Sequence, residues 1–179
     1  MNKNKAIFTK PKGGISLSYE KCVEDVIMSD SLFALKQYKH HGGTRLDHSI
    51  NVSQKSYTIC KKLRLDYAAA ARGGLLHDYF FYDYHKTKFD NSNHVSFHPK
   101  AALARAEKEY NLSKREKDII VKHMWPLTLR LPRYPESYIV SAMDKICAVE
   151  EVCVATKCKL KKRTKPALLR ARMFLTTVL

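Results

Sequence analysis

The chain has 179 residues, 45% of them hydrophobic, with 33 Lys and Arg against 17 Asp and Glu, a formal net charge of +16. That apolar content suits one buried core, and only six glycines and six prolines exclude a collagen-like or wholly disordered chain. No apolar run approaches the ~18 residues that would span a bilayer. The basic N-terminus has no secretory apolar region. Five scattered cysteines without a CxxC pair support neither a disulfide framework nor a cysteine zinc site, so a reducing cytoplasm is the expected location. Residues 152–179 hold 8 Lys and Arg and no Asp or Glu, half the net charge. Such a tail reads as a solvated basic helix, or as a surface drawn to nucleic acid, nucleotides or acidic membrane.

In chain order, residues 1–17 read as a loose basic leader. Ser18 can cap a helix through Ile27, and Asp30 or Ser31 the next short one. Lys39–Gly43 breaks the helical pattern. Asp47 then opens a strong helix with Ile50, Ser53, Tyr57 and Cys60 on one stripe. Asp66 caps a segment rich in small residues that ends at His77–Asp78. Residues 82–97 have no periodicity and read as a long loop. Pro99 suits the first turn of a helix that stops at Asn111, a left-handed cap. Ser113 and Glu116 form a capping box for another. Pro126, Pro132 and Pro135 fence a second loop. A helix from Pro135 or Glu136 to about Val154 carries Ile139, Ala142, Ile146 and Val149 as its core stripe. Thr164 and Pro166 start a last one, with Leu168, Leu169, Arg172 and Leu175 at helical spacing. No segment alternates with period two. The expected fold is all-α, a compact bundle of about seven helices.

A His-Asp dipeptide alone means little. Here His77–Asp78 follows an apolar helix end, Gly73–Gly74–Leu75–Leu76, and four more ligand-type residues fall on or beside predicted helices: His48, His98, His123 and Asp144. Successive intervals of 29, 20, 25 and 21 residues each equal about one helix plus a connection. An antiparallel bundle brings such positions to one end. Imidazole and carboxylate together suit Fe, Mn, Ni, Co or Zn rather than Ca²⁺. His40, His41, His85 and His94 read as loop histidines without a role, although His94 is close enough to His98 to compete as a ligand. Tyr79, Phe80, Phe81, Tyr82 and Trp125 read as aromatic core.

The order His, His-Asp, His, His, Asp resembles the HD-domain superfamily of metal-dependent phosphohydrolases. The matching stretches are Arg45–His48, Gly74–Asp78, Phe97–Pro99, Val121–His123 and Ala142–Lys145, and the resemblance covers roughly residues 40–155. It implies that His48, His77, Asp78 and Asp144 bind one metal. It implies that Asp78 bridges to a second ion held with His98 and His123. The chain lacks the lysine that commonly follows the pair, carrying Tyr79–Phe80–Phe81 instead. It also lacks the Gly-Tyr-Pro signature of cyclic-dinucleotide phosphodiesterases, and both absences count against that substrate class.

The expected protein is therefore a metal-dependent phosphohydrolase with two divalent transition ions. Its catalytic domain spans 18–155, followed by a basic C-terminal helix at 156–179. A metal-activated hydroxide would attack a phosphate ester of a small molecule such as a nucleotide. Asp78 and Lys145 are the expected catalytic residues, and Arg72, Lys86, Lys88, Arg130 and Arg133 the cations holding the substrate. Two alternatives remain open. One is a mixed-valence di-iron oxygenase of the same superfamily. The other is a nucleic-acid-binding or regulatory module, acting through the basic tail, whose metal site is vestigial.

Overall fold

The computed structural model describes residues 17–40, 42–83, 87 and 94–177, with side chains as far as Cys158. The fold is all-α, and the described residues form a compact bundle of seven α-helices with one two-stranded hairpin. Helices α1 (Tyr19–Ile27) and α2 (Asp30–Phe33) are capped by Ser18 and Ser29. A 3₁₀ turn at Ala34–Gln37 leads into β1 (Lys39–His40) and β2 (Gly43–Thr44). There follow α3 (Arg45–Lys62), α4 (Tyr67–Leu76), α5 (His94–Glu109), α6 (Lys114–Lys122) and α7 (Pro135–Thr177). No helix among the described residues is long and apolar enough to cross a membrane. The leader 1–16 lies outside the described residues. Leu17 does not belong to it: its backbone bonds both Tyr67 and Tyr57.

Helix α4 is the centre of the bundle. It packs against α1, α3, α6 and α7, and every residue from Ala68 to Leu76 is buried. Its two glycines permit this. A Cβ on Gly74 would stand 3.0 Å from the Ser53 Cα of α3, and one on Gly73 would stand 2.7 Å from Ile119 Cγ2 of α6. The adjoining core comprises Val23, Val26, Leu32, Leu35, Leu75, Leu76, Tyr79 and Ile120. On α3, Ser53, Tyr57 and Cys60 of the expected stripe are buried and Ile50 is partly so.

Several boundaries differ from the sequence reading. Helix α3 begins before Asp47. Thr44 is its cap, and Asp47 closes a capping box by accepting from the Thr44 N–H at 3.3 Å. The hairpin pairs Lys39 with Thr44 and His40 with Gly43, strands too short to show any alternation. Gly42, at φ +127°, lets the turn press onto α7, where a Cβ would stand 2.7 Å from that of Ala155. Helix α5 starts at His94, inside the expected loop, so Pro99 is its sixth residue rather than a first-turn proline. Asn111 is not left-handed; among the described residues only Arg64 and Gly42 have positive φ.

Helix α7 departs most. It runs unbroken through 156–177, so no separate C-terminal helix begins at Thr164 or Pro166. Residues 155–165 contain no Gly or Pro and are rich in lysine, a good helix former. The stripe Leu168, Leu169, Arg172 and Leu175 lies outside the described side chains. The expected core stripe is also misplaced: Ala142, Ile146 and Val149 are exposed and Ile139 only partly buried. The face turned inward carries Glu136, Ser137, Val140, Ser141, Asp144 and Cys147. A hydrophobicity pattern points the wrong way here because this helix contributes polar groups to a buried site.

Candidate metal centre

Five histidines and two aspartates converge where α3, α4, α5, α6, α7 and the hairpin meet. His77 is the C-cap of α4, with Asp78 next, and His123 is the C-cap of α6. His98 lies in the first turns of α5, His48 in the first turn of α3 and Asp144 on the inner face of α7. His40 comes from β1. Three groups lie close enough to hold an ion: His40, His48 and Asp78; His48, His77 and Asp144; His77, Asp78 and His123. They share members, so the structure forms one continuous cluster.

The ring orientations follow from the helices. His77 Nδ1 lies 2.7 Å from the Gly74 carbonyl, His123 Nδ1 2.8 Å from that of Ile120, and His98 Nδ1 2.9 Å from that of His94. A carbonyl only accepts, so each Nδ1 carries the hydrogen and each neutral ring keeps a bare lone pair on Nε2. These Nε2 atoms point at the carboxylates. Those of His98 and His123 lie 3.4 and 3.6 Å from Asp78 Oδ1, and that of His77 lies 3.8 Å from Asp78 Oδ2 and 3.6 Å from Asp144 Oδ1. His40 Nε2 approaches Asp78 Oδ2 at 3.5 Å. His48 bonds Asp144 Oδ1 through Nε2 at 3.0 Å and meets the Glu151 carboxylate through Nδ1 at 3.1 Å.

Two features fit a cluster that could hold a cation. His98 Nε2 and His123 Nε2 are 2.8 Å apart, yet both rings already donate through Nδ1. Two facing lone pairs repel unless a cation lies beside them. Their separation is close to the roughly 3 Å between adjacent donors on an ion bound at about 2.1 Å. In addition, the buried His77 Nε2 and Asp78 Oδ1 have no hydrogen-bond partner among the described residues. Buried polar atoms are ordinarily satisfied, and an ion between these two acceptors would satisfy both.

The electrostatics agree. Burial opposes ionisation of Asp78, but His77, His98, His40 and His123 outweigh it and hold the carboxyl far below its usual range. Asp144 is likewise lowered against burial, by its hydrogen bond to His48 and by the neighbouring His77. Burial, reinforced by His98 and His77, drives His123 down to about 3, and burial also lowers His98. Burial opposes charge on His48 too, but its bonds to Asp144 and Glu151 raise it to about 9. The cluster thus offers ionised carboxylates and, at His98 and His123, neutral imidazoles, the forms in which these side chains bind metal, while His48 holds a proton that an ion would have to displace.

A cavity of about 300 Å³ opens on the cluster. Its walls include His40, Asp78, His94, His98, His123 and Asp144, with Lys145 and the apolar Met124, Leu127 and Ala148. Lys145 donates to Asp144 Oδ2 at 2.9 Å, to Ser141 Oγ at 3.3 Å and to the His123 carbonyl. It therefore ties the C-terminal end of α6 to α7 and orients Asp144 while reaching the cavity. Arg45, fully buried, donates to the Phe80 carbonyl at 2.6 Å with its guanidinium 3.6 Å above the Phe80 ring. This fixes the chain just after Asp78, and Tyr79 and Phe80 are core.

The structure thus brings together His48, His77, Asp78, His98, His123, Asp144 and Lys145. The other anticipated cations fall elsewhere. Arg72 does not face the cavity; it is buried in ion pairs with Glu116 and Asp25, which join α4 to α6 and α1. Arg130 and Arg133 are exposed, and Arg130 lines a neighbouring groove that shares Leu127 with the cavity. Lys86 and Lys88, like His41 and His85, lie outside the described residues. Two functional residues escaped the sequence reading. His40, taken for a loop histidine, is in the cluster because the hairpin is pinned to α7. Glu151 sits seven residues after Asp144, two turns along the same helical face, and that spacing was a usable signal. His94 lines the cavity with its ring stacked 4.5 Å from that of His98. In comparisons with known proteins, the sequence matches no family model and no curated protein.

Proposed function

We propose that the protein is a metal-dependent phosphohydrolase acting on a phosphate ester of a small molecule. The observation that carries this reading is the set of inward lone pairs on His77, His98 and His123 around ionised Asp78 and Asp144, at the foot of a cavity reached by Lys145. Two divalent transition ions would suit these donors: His48, His77, Asp78 and Asp144 would hold one, and Asp78, His98 and His123 the other. Such ions supply hydroxide from bound water near neutral pH and neutralise phosphoryl charge.

The chain's own groups have distinct work. Asp78, reaching both histidine groups through its two oxygens, is the central ligand. Glu151 holds the His48 ring and Lys145 holds Asp144, each keeping a ligand in register. The Lys145 ammonium also offers a positive charge to a phosphate entering the cavity. Met124, Leu127 and Ala148 give an apolar wall for the rest of the ester, and 300 Å³ suits a compact substrate.

Elemental analysis of the purified protein, followed by phosphatase and phosphodiesterase assays on a panel of small esters, tests the reading. About two transition ions per chain and hydrolysis lost on chelation are expected. His98→Ala or His123→Ala should lower the stoichiometry toward one. Absence of metal would refute the proposal. Iron with oxygen consumption and no hydrolysis would replace it with an oxygenase.

A further inference from the structure

Exposed large apolar side chains occur singly at Met28 and Leu63 and along the outer face of α7, but they crowd most closely in the connection between α6 and α7. Leu32, Leu35, Leu75 and Leu76 are fully buried, whereas Leu127, Leu129 and Leu131 are 67%, 101% and 64% exposed. Three projecting leucines within five residues form an apolar protrusion of the kind that marks an interaction surface. Arg130 and Arg133 interleave with them, both exposed, and neither makes an ion pair among the described residues. The sequence has no Asp or Glu between Asp118 and Glu136, and the whole chain carries +16.

We propose that this loop docks the protein on an anionic lipid surface. Leu127, Leu129 and Leu131 would enter the headgroup–acyl boundary, and Arg130 and Arg133 would pair with acidic headgroups. Aliphatic insertion combined with basic flanks is how peripheral proteins hold such surfaces. The residue types favour lipid over the alternatives. Single-stranded nucleic acid is gripped by aromatic side chains on which bases stack, and this protrusion has none at its tip. Protein hot spots favour Trp, Tyr and Arg and are poor in Leu. Leu127 also lines the metal-site cavity, so docking would set the cavity mouth beside the lipid. The inference does not depend on which reaction the metal centre performs.

Trp125 is the only tryptophan and stands two residues before Leu127, so it reports on this loop and not on the basic tail. The full chain is mixed with vesicles of equimolar phosphatidylcholine and phosphatidylserine, with and without brominated acyl chains. Co-sedimentation and quenching of Trp125 by bromine are expected, with neither on pure phosphatidylcholine. Leu129→Ser with Leu131→Ser should abolish the quenching. Arg130→Ala with Arg133→Ala should weaken binding about thirtyfold. Because these side chains are exposed, circular dichroism melts of both variants should match the unaltered protein. Sedimentation without quenching would assign lipid binding to the tail and overturn the proposal. So would quenching that survives the double leucine substitution, or binding to single-stranded RNA but not to vesicles.

Discussion

At the scale of single residues, the cluster is organised by what each imidazole does with its second nitrogen. His77, His98 and His123 each give Nδ1–H to a carbonyl three or four residues earlier, and His48 gives its own to a carboxylate. Such outer partners fix ring orientation and set ligand basicity. Glu151→Gln keeps the shape of that side chain but removes its charge, so metal affinity should fall roughly 10- to 100-fold, measured by competition with a chromogenic chelator. His77→Ala and Asp78→Ala should each abolish hydrolysis and release most bound metal, with the double variant hardly worse than either, since ligands act as a unit. Full metal occupancy in Asp78→Ala would remove it from the ligand set. His48, His77, Asp78, His98, His123 and Asp144 were legible as a group because they are ligand-type residues spaced about one helix plus one connection apart. His40 was not: its position depends on a two-residue strand and on Gly42 fitting against Ala155, a tertiary contact with no periodic trace. Arg72 was legible as a cation but not as a buried one, because its partners Asp25 and Glu116 are 47 and 44 residues distant.

At the scale of elements, local rules located most helices. Ser18, Asp66 and the Ser113–Glu116 box all cap where the sequence places them. Local rules failed where an element serves the site. The inner face of α7 is polar because Ser141, Asp144 and Glu151 must reach the cluster, so its apolar stripe is left outside. Helix α4 shows the same priority in its glycines, each costing about 1 kcal/mol of helix propensity relative to alanine. Gly74→Ala would regain that propensity, but its Cβ meets the Ser53 backbone, which cannot rotate aside as a side chain can. Overpacking of this kind costs about 1–3 kcal/mol, so a net loss of stability is expected in urea unfolding. The Gly74 carbonyl also orients His77, so metal content should fall with it. At Gly73 the Cβ would stand 2.7 Å from Ile119 Cγ2 and 3.0 Å from Ile119 Cβ, and a fully buried β-branched side chain has little room to turn aside, so Gly73→Ala should also lower stability. Unchanged stability at either position would contradict the packing described.

At the scale of the whole molecule, the centre joins the hairpin and helices α3 to α7, so occupancy and folding stability are linked. Burial lifts the thiols of Cys22 and Cys147 to about 11 and that of Cys60 to about 12, while Cys153 and Cys158 are exposed. A thiol reagent should therefore modify two cysteines in the native protein and five after denaturation. Chelation should add the buried three to the reactive set sooner on warming. An ion at a hundredfold its dissociation constant contributes about 2.7 kcal/mol, which at about 2–4 °C per kcal/mol amounts to a melting shift of roughly 5–11 °C. The chelated protein should also acquire a pH optimum. An unfolded imidazole titrates near 6.5. His123 and His98 titrate lower in the fold, so as pH falls below about 6.5 the unfolded chain takes up protons that the native state refuses, and stability drops. His48 titrates higher, at about 9. As pH rises from about 6.5 toward that value, the unfolded chain loses a proton that the native state retains, and stability drops again. Melting temperature measured in excess chelator should therefore peak near pH 6.5. A bound ion must displace the proton from His48, so the loaded protein should lack the alkaline decline. A chelated protein whose melting temperature stays level from pH 6.5 to 9 would show that the bonds of His48 to Asp144 and Glu151 do not hold a proton in the native state.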